Sequence, residues 1–216
     1  MTSAAVVLFA RSPEREAAAK RMRSGAPLFR AVVAAWLRAA RRHGAMPLIA
    51  CALEDRDALA AIAPEIERGW IEQHGLSFGT RVANAAEDAF ARGHDAVVLA
   101  AIDAPPHDLG RAFAGLARGT AVVAPASDGG VNYLGITSVD RSLLENLTTQ
   151  RCREHFSALL VVETTTDLDS SRALAIARRE RAWRGLLAPI AMIAYAPTHP
   201  LRGSARSNTT RPPPST

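Results

Sequence analysis

Lysine is almost missing from this chain: Lys20 is the only one among 26 basic residues. Cysteine is scarce as well. Cys51 and Cys152 stand too far apart in sequence to suggest a disulfide framework or a zinc site. They predict two buried thiols in a reducing compartment. Long apolar runs are lacking. Ala4 to Ala10 is short for a signal peptide and has no basic flank, and Pro189 to Pro197 falls far below the ~20 residues a bilayer span needs. These absences predict a soluble, cytoplasmic protein with no membrane span. There is no Gly-x-x-x-x-Gly-Lys-Ser/Thr loop, no Gly-x-Gly-x-x-Gly and no Gly-x-Ser-x-Gly elbow, which argues against P-loop, dinucleotide-binding and serine-hydrolase chemistry. The six His show no metal-ligand spacing.

Charge is present but unevenly placed. The net +5 comes from the end of the chain, where residues 172–216 hold eight Arg and one Glu. Residues 1–171 are slightly acidic. A nucleic-acid groove needs its basic face on the folded domain, so no nucleic-acid partner is expected. With 216 residues, 48% of them apolar, the chain suits one domain with a sizeable core. The domain is placed at residues 1–186. Residues 187–216, rich in Pro, Ser, Thr and Arg, bury too little apolar surface to fold alone and are expected to be disordered.

Apolar runs and helical stripes alternate along the chain. Ala4–Ala10 and Ala96–Ile102 are continuous rather than alternating, as in parallel strands covered on both faces, and the second should be central. Other strands are expected at Met46–Ala52, Trp70–Ile71, Thr120–Ala124, Val131–Thr137 (running antiparallel) and Ala158–Val162. A helix opens at Pro27, with Leu28/Phe29, Val32/Val33, Trp36/Leu37 and Ala40 on one face. Another starts behind Ser77, and a last one is expected over Ser170–Arg184. Arg11 to Gly25 reads as a polar stretch. The alternation predicts an α/β sandwich with a mostly parallel sheet.

Ligands of such sheets bind beyond the carboxyl ends of the strands. Three acidic signals follow apolar runs there. Asp103 precedes a sharp turn at Ala104-Pro105-Pro106, where it either caps the turn or holds a hard cation such as Mg²⁺. Asp128-Gly129-Gly130 reads as a hairpin turn that can also be a binding loop. Asp167 and Asp169 fall on opposite sides of an extended segment, and Asp169 is a candidate N-cap for the last helix. Opposite charge follows the first strand: Arg11, Lys20 and Arg21 suit phosphate, or else form a solvated loop with Glu14 and Glu16. Gly79 and Arg81 open a helix whose amides suit an anion, or which is an ordinary capped entry.

In order, Phe9-Ala10-Arg11-Ser12-Pro13, Glu16-Ala17-Ala18-Ala19-Lys20, Gln73-x-Gly75-x-Ser77-Phe78-Gly79-x-Arg81, Asp103-Ala104-Pro105, Pro125-Ala126-Ser127-Asp128-Gly129-Gly130 and Asp167-Leu168-Asp169 form a set. The set resembles the bacterial arsenosugar-biosynthesis glycosyltransferase type, within the nucleotide-diphospho-sugar transferase superfamily. The resemblance spans about Ala4 to Ala182. It implies a GT-A type three-layer α/β/α sandwich binding a nucleotide or nucleotide sugar, a small-molecule acceptor, and Mg²⁺ or Mn²⁺. Under it Asp103 stands as the metal-binding acid. Arg11, Lys20, Arg81 and the Gly79 helix start face the nucleotide phosphates, and Asp128, Asp167 and Asp169 lie on the sugar or acceptor side. The chain departs from the pattern in several places: the first loop is not the Gly-rich, Arg-containing loop of the molybdenum-cofactor guanylyltransferases, Lys-Thr-Arg-Leu is here Lys20-Arg21-Met22, Asp103 stands in Asp-Ala-Pro rather than a full Asp-x-Asp, so a second metal ligand comes from elsewhere, and the acidic ending is here Asp169-Ser170-Ser171-Arg172-Ala173. The activities in view are glycosyl transfer, nucleotidyl transfer, for which Asp128-Gly129-Gly130-Val131-Asn132 resembles a phospholactate guanylyltransferase loop, and nucleotide binding without turnover.

Overall fold

The computed structural model describes residues 3–22, 25–184 and 186–187. The tail expected to be disordered falls outside that range except for Leu187, which is buried. The chain runs through β1 (Ala4–Phe9), α1 (Pro13–Ala19), α2 (Ala26–Arg42), β2 (Met46–Cys51), α3 (Arg56–Ala60), β3 (Trp70–Glu72), α4 (Phe78–Ala91) and β4 (Ala96–Ala101). It continues through α5 (Leu109–Leu116), β5 (Ala121–Pro125), β6 (Val131–Ile136), α6 (Arg141–Glu145), α7 (Thr149–His155), β7 (Leu159–Val161) and α8 (Ser171–Ala177).

The strands form one sheet in the order β3-β2-β1-β4-β6-β5-β7. β4, whose continuous apolar run predicts a central strand, is the middle one. Only β6 runs against the others, pairing antiparallel with β4 and with β5. This is the mostly parallel α/β/α sandwich that the alternation predicts.

Continuous apolar strands arise because both faces are covered. Successive side chains of β1 enter different cores. Val6 and Leu8 pack with α2 and α5 around Trp36 and Leu116. Ala5, Val7 and Phe9 pack with α4 and α6 around Val82 and Leu143. Each fully buried Leu or Val contributes about 1.5–3 kcal/mol of hydrophobic stabilisation relative to exposure. Cys51 and Cys152 are free and lie one in each core. Burial pushes both thiols up to about 11, which keeps them unreactive.

Two expectations need correction. The stretch after β1 is not a solvated loop, since Pro13 opens the short helix α1 and buries Pro13, Glu16 and Ala17. The last helix is not continuous. α8 ends at Ala177, and a second helical turn begins at residue 181. The break lets Glu180 accept from the Thr166 backbone N–H at 3.0 Å and from its hydroxyl. Trp183 Nε1 donates to Thr166 O at 2.8 Å. A straight helix would carry these two groups away from the Asp167 segment.

Candidate active site

Because every strand but β6 is parallel, the segments following β1, β2, β4, β5 and β7 emerge at one edge. That edge carries Arg11, Asp55, Asp103, Asp128 and Asp167. It holds two adjoining clefts, of about 410 Å³ and 740 Å³. Phe78, Ala101 and Asp103 line both and form the ridge between them.

The loop carrying Asp103 is tied from several sides. Trp36 Nε1 donates to Ala104 O at 2.8 Å, Tyr133 Oη to His107 O at 3.0 Å, and Leu168 N to Asp103 O at 2.8 Å. His107 faces the Pro105 and Glu163 carbonyls at 3.0 and 2.9 Å, so it braces the loop rather than lying free on the surface. Such ties hold the loop, and with it the Asp103 side chain, in one place.

The first cleft is cationic. Arg11, Arg15, Lys20 and Arg81 line it, with Glu16 and Asp55 beneath. Lys20 Nζ donates to Asp103 Oδ2 at 2.7 Å and stands 3.8 Å from Glu16 Oε1. Burial alone would lower the Lys20 pKa, but Asp103, Glu16 and Asp167 outweigh it and raise it, so Lys20 is charged. Arg11 lies 3.5 Å from the other Glu16 oxygen. Glu16 is only 7% exposed, and burial raises its pKa against the pull of Lys20. Arg81 stacks over the Phe78 ring at 5.9 Å. Its Nε–H is buried without an acceptor among the described residues.

Asp55 escapes sequence reasoning. It follows β2 in an unremarkable Glu-Asp-Arg-Asp run, yet it is 1% exposed. It accepts from Ser12 N and from Arg15 Nη1, both at 2.9 Å, and so fixes the start of α1. The burial of Glu16 is foreshadowed only by its fourfold spacing to Lys20. Gly79 belongs elsewhere than expected. It lines the second cleft, and a Cβ there would stand 2.2 Å from Glu145 O. Close approach of α4 to α6 accounts for that glycine. The helix start itself is an ordinary capped one, with Ser77 Oγ accepting from Thr80 N at 3.0 Å.

The second cleft has an acidic floor. Asp103, Asp128 and Asp167 line it, with Arg151 from α7 across from them. Asp128 sits in the β5–β6 turn, where Oδ1 accepts from Gly130 N at 2.8 Å and Gly129 takes φ +94°. Both functions weighed for that motif are thus compatible. Asp167 is half-buried. Burial, then the Asp103 carboxylate and to a lesser degree Asp128 and Asp169, raise its pKa. Asp169 points away to solvent and does not cap α8. Ser170 does, accepting from Ala173 N at 3.2 Å.

Among the described residues no three His, Cys, Asp or Glu side chains gather into a metal-binding group. The neighbouring Asp103 and Asp167 carboxylates do suit a hard cation that takes its remaining ligands from water and phosphate.

Among solved structures, the chain resembles a protein described as a nucleotide-diphospho-sugar transferase from Desulfovibrio desulfuricans G20. The TM-score is 0.72 at 21% identity, covering 89% of this chain and 97% of that one. It also resembles 4-diphosphocytidyl-2C-methyl-D-erythritol synthase from Anaerococcus prevotii DSM 20548, with a TM-score of 0.52 at 9% identity over 82% and 96% of the two chains. A third is Rv0371C of Mycobacterium tuberculosis H37Rv in complex with manganese, with a TM-score of 0.51 at 17% identity over 82% and 98%. At these identities the likeness is one of fold. No curated protein matches the sequence. No helix among the described residues is long and apolar enough to cross a membrane. Residues 34–151, which include Gly79, Arg81, Asp103 and Asp128, match the family of uncharacterized proteins conserved in bacteria, DUF2064, and the chain belongs to it.

Proposed function

We propose that the chain is a transferase that uses a nucleotide-activated donor, with glycosyl transfer to a small-molecule acceptor as its reaction. The ordered motifs favour the subgroup labelled arsenosugar-biosynthesis glycosyltransferases. The observation that carries the proposal is the pair of clefts joined at Asp103, cationic on one side and acidic on the other.

The nucleotide diphosphate lies in the first cleft. Lys20 and Arg11 neutralise its oxygens, and the unpaired Nε–H of Arg81 donates to it. A buried unpaired donor costs about 1–3 kcal/mol, which such a contact offsets. Gly79 contributes by letting α4 pack close against α6, not by contacting phosphate. Asp103 and Asp167 would hold Mg²⁺ or Mn²⁺, which when bound supplies charge neutralisation for the departing diphosphate. Manganese in the fold neighbour from M. tuberculosis is in keeping with this. The acceptor lies in the second cleft. Asp128, which is not assigned to the cation, takes the hydroxyl proton as general base. Asp128 orients the acceptor from the hairpin, and Asp169, on the solvent side, adds only negative charge to Asp167. A nucleotide donor and two free, buried thiols fit a cytoplasmic enzyme.

Nucleotidyl transfer is the second reading, supported by the Asp128–Asn132 loop and in keeping with a fold shared with 4-diphosphocytidyl-2C-methyl-D-erythritol synthase. The two differ in their products. Incubation with nucleotide sugars and with nucleoside triphosphates, each with Mn²⁺ and a panel of hydroxyl-bearing and phosphorylated acceptors, should release nucleoside diphosphate from the former as the sugar passes to an acceptor hydroxyl. Pyrophosphate release from the latter would replace glycosyl by nucleotidyl transfer. Nucleotide binding without either product would leave a binding domain.

A further inference from the structure

Asn132 is a polar residue in an otherwise apolar strand, and only 2% exposed. Its Nδ2 donates to Pro125 O at 3.2 Å, Thr165 O at 3.0 Å and Thr165 Oγ1 at 2.7 Å. Two of those partners are carbonyls, which only accept, so the amide orientation is fixed: nitrogen toward β5 and Thr165, oxygen the other way. Oδ1 has no donor among the described residues, and Asn132 lines the second cleft. The pairing explains its aim. Val131 pairs with Pro125 and Tyr133 with Ala124, leaving Asn132 as the extra residue of a β-bulge. Bulges next to binding sites redirect one side chain. The floor beside it carries Asp128 and Asp167, neither with a basic side-chain partner within 4 Å among the described residues. Asp103 is already paired with Lys20. Glu145 on the wall is paired with Arg141, and Arg151 alone contributes positive charge.

We infer that the second cleft selects a hydroxyl- or amine-rich, phosphate-free small molecule, with Asn132 Oδ1 as the fixed acceptor that reads one of its O–H or N–H groups. This rests on the proposed placement of the acceptor and names its chemical class. The phosphate group of an ester would set its dianion against two carboxylates and itself offer no donor to Oδ1. An ammonium group gains from both.

The test is a chemical-shift titration of the full chain, without metal or nucleotide, with glucosamine, glucose and glucose 6-phosphate. Glucosamine should bind most tightly and glucose 6-phosphate at least ~10-fold more weakly, as expected for one unpaired or repelled polar contact. Asn132→Leu should weaken glucosamine about tenfold, whereas Thr165→Val, which loosens the amide tether but leaves Oδ1, should change it less than about threefold. Should Asn132→Leu not fold, Asp128→Asn replaces it: an Asn there keeps the turn, and the penalty against glucose 6-phosphate should shrink at least threefold. The inference is overturned if glucose 6-phosphate binds as tightly as glucosamine, if glucosamine produces no saturable shift, or if the Asn132 and Thr165 variants lose equally. A parallel nucleotide titration separates the outcomes. Nucleotide binding with failed sugar selectivity sinks this inference alone, and sugar binding without nucleotide binding sinks the donor assignment.

Discussion

At the residue scale the site is a balance of charges held at short range. Lys20 is shared between Asp103 and Glu16, and Glu16 is the buried member of that trio. Its raised pKa has a thermodynamic consequence. The folded state holds the Glu16 proton more tightly than the unfolded state does, so folding is favoured most below the ordinary glutamate range. That contribution is lost as pH rises through the folded pKa. Glu16→Gln, which carries no charge, should match the native protein in stability near pH 4 and exceed it near pH 7, a difference readable in thermal unfolding at the two pH values. A native protein more stable than the variant at pH 7 would show that the Lys20 and Arg11 pairs outweigh burial. Sequence reading singled out Asp103, Asp128 and Asp167 because they follow strands, Arg81 because it opens a helix, and Lys20 because it is the one lysine of the chain and lies in the basic segment after β1. It missed Asp55 and the burial of Glu16, because a carboxylate buried by tertiary packing leaves no periodic trace in the local sequence.

At the scale of elements, the strands and long helices were readable because both-face burial leaves unbroken apolar runs and one-face burial leaves a 3.6-residue stripe. The short α1 was not. Seven residues give too little periodicity, and its start is fixed by Asp55, forty-three residues away from Ser12. The break after α8 was hidden for a like reason: Glu180 and Trp183 answer to Thr166, not to their own neighbours. Gly79 is where local and tertiary reasons compete, and close helix packing decides. Gly79→Ala should destabilise the protein by about 1–3 kcal/mol, as overpacking does. The measurement is the urea midpoint, with a near-native midpoint as the contrary result. Trp36→Phe keeps the apolar ring but leaves the Ala104 carbonyl without its donor. It should cost about 1–2 kcal/mol in urea unfolding and weaken nucleotide binding through a looser Asp103 loop. Loss of stability with unchanged binding would show that the other ties suffice.

At the scale of the whole molecule, one antiparallel strand in a parallel sheet divides the edge. The strands before it present the cationic cleft, and those around and after it present the acidic one. Asp103, beyond the middle strand, belongs to both. The fold followed from alternation and motif order, whereas the division of charge between clefts required the topology, since residues such as Lys20 and Asp103 lie eighty-three positions apart. The central claim is that a nucleotide diphosphate lies across Asp103 with a divalent cation. Calorimetric titration with the common nucleoside diphosphates, with and without Mn²⁺, on the native chain and on Asp103→Asn, tests it most directly. The account predicts that at least one nucleotide binds far more tightly with Mn²⁺ and that Asp103→Asn removes this gain by about tenfold or more. Binding of none of them, or binding indifferent to both the cation and the substitution, would contradict it.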